Sequence, residues 1–238
     1  MKKFHHRGSL GDIIYSLPSI ISSGGGILYL RKKFHYDFLK PLLVKQNYIS
    51  DVFCEEELSE IESHDAMRDI INLDEFRKIH KRDLHKHLVS CHLEVLNQTF
   101  DLSQSWLFNI EAKFKAKIII NRTSRYHDKE EVRWKLLKKY KRDCLFIGYK
   151  KEFKKFGLNV SFYQCEDALE MAQIIKGSSL FIGNQSVGFA LAEAMKHSRV
   201  LEVFYDKNNC QPQSSNGYTY LTNKIIESYI KDSDEQDN

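Results

Sequence analysis

The sequence predicts an α/β protein made of two parallel-sheet units that face a common cleft. Three observations predict it. Apolar runs of strand length alternate with runs of helical spacing over residues 1–105, and the alternation restarts over residues 112–231. Phe181 to Phe204 reads as strand, small polar turn, helix and strand, which is one βαβ unit. A glycine-bearing loop, Gly8 to Asp12, holds the matching place near the start of the first half.

Taken in order, Lys3–Arg7 is a short first strand. The Gly8–Asp12 loop follows, with Gly8 and Gly11 allowing close backbone approach and Asp12 placed where a helix begins. Ile13–Ile21 is helical, with Pro18 predicting a kink or a short helix. Ile27–Leu30 is the second strand and Phe34–Gln46 a helix interrupted by Pro41. Ser50–Cys54 and Arg68–Leu73 are the third and fourth strands. Over residues 75–100, Phe76, Ile79, Leu84, Leu88, Val89, Leu93 and Leu96 fall near a 3.6-residue period, which predicts helix.

In the second half, Ala116–Ile120 is a strand followed by the polar loop Asn121–Asp128. Lys129–Lys141 is a basic helix with Val132, Leu136, Leu137 and Tyr140 on one face. Cys144–Gly148 and Gly157–Tyr163 are strands, Asp167–Lys176 is a helix, and Tyr220–Lys231 is a last helix after the βαβ unit. Residues 232–238 are polar and acidic and read as a disordered tail.

A chain of 238 residues, 42% hydrophobic and 29% charged, is an ordinary globular composition. The first seven residues lack the apolar core of a secretory signal, and no run approaches the roughly 18 apolar residues of a membrane span. Cys54, Cys91, Cys144, Cys165 and Cys210 are odd in number and widely spaced, which points to a reducing, cytoplasmic compartment without disulfides. The net charge of +4 is uneven. Residues 113–155 hold 16 Lys/Arg against 5 Asp/Glu, a local charge of +11. Such a block is either a solvated helix face or a surface for an anionic partner. Peripheral contact with the inner face of a membrane is one such use. No base-stacking pattern accompanies the charge, so no nucleic-acid partner is expected.

Two Rossmann-like halves place their carboxyl strand ends toward a shared cleft, where ligands of α/β folds bind. Gly8–Asp12, Asn121–Asp128 and Gly183–Gly188 are the loops that line it. A helix starting near Ser186 offers unpaired N–H groups to a phosphate, and Glu193, two turns on, is placed to accept from ribose hydroxyls. The bland alternatives are a turn at Gly183, a solvent-facing Glu193, Asp12 as a helix cap, and Arg122 and Arg125 as surface cations.

These residues resemble a family. Arg7-Gly-Ser-Leu-Gly-Asp-Ile-Ile-Tyr-Ser-Leu-Pro18 is similar to the opening of the heptosyltransferase-like (glycosyltransferase family 9-like) enzymes, with its Gly-x-x-Gly-Asp, apolar helix and Leu-Pro. Phe181-Ile-Gly-Asn-Gln-Ser resembles their late donor loop, with Gln185, Val187 and Ala190 departing from the usual residues. Gln185 and Glu193 resemble the Glu-x7-Glu pattern of the wider GT-B glycosyltransferases. The resemblance implies a GT-B fold, with an acceptor unit over residues 1–105 and a nucleotide-sugar donor unit over residues 112–231. It implies inverting, metal-independent transfer to a glycan or lipid-linked acceptor, with Asp12 as general base. Arg122 and Arg125 would steady the leaving diphosphate, and Asn184, Gln185, Ser186, Gly188 and Glu193 would hold the donor. The nucleotide-sugar is a substrate, and no cofactor is implied. The alternative is a non-catalytic nucleotide- or glycan-binding protein of the same fold.

Other chemistries are less well supported. His85, His87, Cys91 and His92 are close in sequence, with His87 and Cys91 at helical i,i+4 spacing, but no further ligand is evident and no metal is expected. Trp134 and Leu137 read as core. Ser16 and Ser186 lack a His–Asp partner pattern for hydrolysis. Gly8-x-x-Gly11 is not the Gly-x-Gly-x-x-Gly of a NAD-binding oxidoreductase.

Overall fold

In the computed structural model, which describes residues 1–127, 131–202 and 209–231, two parallel sheets are joined by one crossing segment. The first half runs β1 (Lys3–His6), α1 (Leu10–Ser22), β2 (Gly26–Leu30), α2 (Lys33–Leu43), β3 (Ile49–Cys54), α3 (Glu60–Met67), β4 (Ile71–Asn72), α4 (Phe76–Arg82) and α5 (Leu88–Val95). The second runs β5 (Ile118–Asn121), β6 (Cys144–Ile147), α6 (Lys150–Phe156), β7 (Ser161–Tyr163), α7 (Ala168–Lys176), β8 (Leu180–Asn184), α8 (Val187–Ala194), β9 (Arg199–Glu202), β10 (Gly217–Tyr218) and α9 (Asn223–Lys231). Every strand pair is parallel.

The strand orders are β3-β2-β1-β4 and β10-β9-β8-β5-β6-β7. In each sheet the winding reverses once: between β1 and β4 in the first, and between β5 and β8 in the second. Such reversals splay the connections apart and leave a crevice at the carboxyl ends of the two strands. The central strands β5 and β8 are buried along their whole length, and their apolar runs Ile118–Ile120 and Leu180–Ile182 suit strands covered on both faces. Cores differ on the two sides of the second sheet. One core includes Leu17, Trp106, Ile175, Phe189 and Ala190 and runs on into the first sheet. The other holds Trp134, Leu137, Phe146 and Ile226 on the outer face.

Several elements differ from the sequence reading, each for a local reason. The predicted fourth strand shortens to two residues because Asn72 accepts from the Asp74 N–H and the chain tightens into a 3₁₀ turn over Leu73–Glu75. The helix expected over residues 75–100 breaks at Asp83, whose carboxylate accepts from the N–H groups of His85 and Lys86 at 2.9 and 3.1 Å. Glu131–Tyr140 is a 3₁₀ helix rather than an α-helix. Helices α3 and α6 join the expected set. The acidic tail over 232–238, the start of the basic helix at residues 129–130, and the end of the βαβ unit at residues 203–204 lie outside the described residues. All five cysteines are free and buried. Among the described residues, no helix is long and apolar enough to cross a membrane.

Candidate functional site

The Gly8–Asp12 loop leaves β1 at the first reversal. Gly8 donates its N–H to Nδ1 of the buried His6 at 2.9 Å, and a Cβ on Gly8 would lie 2.4 Å from the His6 ring and 2.9 Å from the Asp12 Cβ. Glycine is therefore required by close approach. Burial, and then the nearby charges of His92 and Arg77, lower the His6 pKa well below its usual value. A neutral ring fits an Nδ1 that accepts from Gly8. Asp12 stands in the first turn of α1, where a carboxylate is favoured by the helix dipole. Its Oδ2 accepts from the Ser9 N–H at 3.0 Å and lies 3.5 Å from the Arg77 guanidinium.

A cavity of about 460 Å³ opens beside Arg77 at the carboxyl ends of β1 and β4. His5, Arg7, Met67, Ile70, Asn72, Asp74 and Arg77 line it. The sequence reading missed these residues. Their signal was position: Asn72 ends a strand that flanks β1, Asp74 and Arg77 come soon after it, and these two are three apart at a helix start.

At the second reversal, Asn121 ends β5 and Asn184 ends β8. Ser186 caps α8, accepting from the Phe189 N–H at 3.3 Å while its hydroxyl donates to Asn121 Oδ1 at 2.8 Å. A Cβ on Gly188 would lie 2.8 Å from that same Asn121 oxygen, so α8 begins hard against β5. Asn184 is fully buried. It accepts from the Thr123 N–H at 2.9 Å and donates to the Thr123 and Arg125 carbonyls, stapling the loop after β5. Gln185 donates to Asn209 Oδ1 at 3.0 Å.

Arg122 and Glu193, two of the charged residues expected here, have internal partners. Arg122 is buried against Glu202, donating through Nε and Nη2 at 2.7 Å each, with its guanidinium over the Trp134 ring. Arg125 is exposed. Glu193 is fully buried, its Oε2 on the equally buried Arg199 and its Oε1 on Lys196. His87 caps α5 and accepts from the Val89 N–H at 3.3 Å. Among the described residues, no three His, Cys, Asp or Glu side chains converge as metal ligands would.

The two reversal points meet. A Cβ on Gly11 would lie 3.7 Å from the Ser186 carbonyl oxygen and 3.9 Å from the Ala190 Cβ. The start of α1, bearing Asp12, and the start of α8 are thus packed together, each with its positive dipole end at the junction. The linking segment fixes this arrangement. The Trp106 and Leu107 N–H groups donate to the Ala194 carbonyl at the end of α8, and the Trp106 indole donates to the Ile14 carbonyl of α1.

No protein-family model matches the chain, and no curated protein matches its sequence. Solved structures do match. A glycosyl transferase family 9 structure from Veillonella parvula superposes with a TM-score of 0.61 at 12% identity, over 98% of this chain and 88% of that one. The Escherichia coli heptosyltransferase WaaC with ADP-2-deoxy-2-fluoro heptose gives 0.60 at 12% identity, over 98% and 100%. The dodecameric iron-containing heptosyltransferase TibC in complex with ADP-D-beta-D-heptose gives 0.57 at 12% identity, over 90% and 61%. Two parallel sheets, each reversing once and joined reversal to reversal, are the GT-B fold of these glycosyltransferases, and this chain has that fold.

Proposed function

We propose that the protein is an inverting, metal-independent glycosyltransferase that moves a sugar from a nucleotide-sugar donor to a glycan or lipid-linked acceptor. The observation that carries the proposal is the close approach of Gly11 to Ser186 and Ala190, which leaves room between them for little more than a methyl group. It brings the first turn of α1, which bears Asp12, and the N-terminus of α8 to one junction between two strand-order reversals. Residues 1–105 form the acceptor unit and 112–231 the donor unit in this reading. The donor diphosphate is held at the start of α8, around Ser186 and Gly188, with Asn184 and Gln185 shaping the loop. In this reading the exposed Arg125 is the cation that meets it. Arg122 and Glu193 act through their partners Glu202 and Arg199, by holding the end of β5 and helix α8 against β9. Asp12 takes the proton of the acceptor hydroxyl as it attacks the anomeric carbon from the face opposite the leaving diphosphate.

The nucleotide-sugar is bound as a substrate, as ADP-heptose derivatives are by the neighbouring heptosyltransferases. The outer face of the second sheet supplies a further contact in the same proposal. Lys135, Lys138, Lys141, Arg142, Lys150, Lys151, Lys154 and Lys155 are exposed there, and the layer rests on an anionic membrane surface. Titration of the purified protein with ADP, UDP, GDP and CMP tests the donor assignment. Saturable binding of one of these nucleotides is expected, and binding of none would overturn the assignment.

A second reading, a non-catalytic nucleotide- or glycan-binding protein, is favoured by the Arg122–Glu202 pair, which occupies a cation that a leaving diphosphate would use. Turnover of a donor with a defined acceptor eliminates this reading.

A further inference from the structure

The cavity at the β1/β4 reversal is rich in charge, yet its charges are already matched. Arg7 Nη2 lies 3.1 Å from Glu55 Oε1, and the Arg7 backbone N–H donates to Asp74 Oδ2 at 2.8 Å. Arg77 lies 3.5 Å from Asp12 and 3.7 Å from Asp74. His5 Nε2 is 2.6 Å from Glu55 Oε2. Two guanidinium groups therefore face three carboxylates, Asp12, Glu55 and Asp74. An acidic ligand would meet no spare positive charge and would have to displace a carboxylate to gain an arginine. A neutral polyol has no such cost, because paired arginines and carboxylates still offer donors and acceptors to hydroxyl groups. Met67 and Ile70 add an apolar wall of the kind that covers the C–H face of a sugar ring. The volume of about 460 Å³ lies within the usual range of small-molecule sites.

We propose that this cavity is a sugar pocket selective for a neutral pyranose over an acidic one, and that it receives the acceptor residue. The acceptor role rests on the transferase reading above. Arg77, which lines the cavity and touches Asp12, sets the pocket one side chain away from the proposed base. Selectivity comes from Glu55 and Asp74, which hold Arg7 and Arg77 neutralised.

Saturation-transfer NMR on the full chain, with a methyl hexopyranoside and the corresponding methyl uronoside as probes, tests this. The neutral glycoside is expected to bind about tenfold more tightly than the uronoside, whose carboxylate would face Glu55 and Asp74 without a spare cation. Glu55→Gln, with folding checked by circular dichroism, frees Arg7 and is expected to narrow or reverse that preference. Met67→Ala is expected to weaken the neutral glycoside several-fold. A wild-type preference for the uronoside, no binding of either probe, or an unchanged preference in Glu55→Gln would overturn the proposal. Nucleotide binding is read in the same samples. Nucleotide bound with the uronoside preferred removes the neutral-sugar pocket and leaves the transferase reading. Neutral glycoside bound without any nucleotide leaves the pocket and removes the transferase reading.

Discussion

The indole of Trp106 donates to the Ile14 carbonyl at 3.1 Å, and Ile14 is the residue whose helical hydrogen bond Pro18 cannot make. Proline at position 18 has no N–H for the carbonyl four residues earlier. The linking segment supplies the missing donor from outside the helix, and in doing so ties α1 to α8. Trp106→Phe leaves that buried carbonyl unpaired and is expected to cost about 1–3 kcal/mol in urea unfolding. In a Pro18→Ala background the helix supplies its own donor, so the same Trp106 substitution is expected to cost clearly less. Equal losses in the two backgrounds would show that the indole acts by packing alone.

Asp12→Ala is expected to abolish sugar transfer while nucleotide affinity, measured by calorimetry, changes little. The carboxylate belongs to the first half, whereas the proposed diphosphate site starts α8. Full transfer activity in the variant would remove Asp12 from the mechanism.

Glu193→Gln breaks a fully buried pair with Arg199 and is expected to destabilise the fold by about 3–5 kcal/mol. Joint replacement of Glu193 and Arg199 by apolar residues of similar volume is expected to recover part of that loss. If Glu193 bound the donor directly, Glu193→Gln would lower nucleotide affinity under conditions where the variant is still fully folded. No such loss is expected.

Acid sensitivity follows from the buried histidines. Burial lowers the pKa of His87 and His197 to about 4 and that of His92 to about 3, with nearby cationic side chains acting in the same direction. The unfolded chain takes up protons on these rings near 6.5, where the folded chain does not. Their contribution is therefore present above about pH 6.5 and is lost as the pH falls toward 4, at up to about 1.4 kcal/mol per pH unit for each ring. His92 stacks on Phe76 with ring centroids 4.1 Å apart. His92→Phe keeps the ring, so a shallower stability-versus-pH slope between pH 7 and 5 is the expected outcome. An unchanged slope would exclude His92 as a contributor.

Cosedimentation with vesicles tests the basic outer layer. Binding is expected with phosphatidylglycerol vesicles, weak binding with phosphatidylcholine alone, and a decline with added salt as exposed charges are screened. Replacing Lys138, Lys141, Lys151 and Lys154 by Gln is expected to remove most of the binding. Equal binding to both vesicle types would argue against an electrostatic contact.

The alternation of strands and helices was legible in the sequence because buried parallel strands carry unbroken apolar runs such as Ile118–Ile120. The place of the two loops was legible for the same reason, since each follows such a run. Partnership was not. Nothing in the spacing of Arg122 and Glu202, eighty residues apart, announces a bidentate pair. Glu193 stands two turns beyond Gln185 as a donor ligand would, but its neighbour across the turn is Arg199 on β9, so its carboxylate is buried. The β1/β4 cavity was missed because it depends on strand order. The sequence shows that a fourth strand exists, and only pairing shows that it lies beside β1.

Gly11 against Ala190 has one more consequence. Two small residues set the clearance between the proposed base and the proposed donor helix, so this contact works as a shim. A methyl at position 11 would rest on Ser186 and Ala190 at ordinary van der Waals distance without strain, and only a larger side chain would wedge the helices apart. The reach from one reactant to the other would then change in small steps at a position that touches neither, and a graded series at position 11 could tune the size of the sugar the junction accommodates.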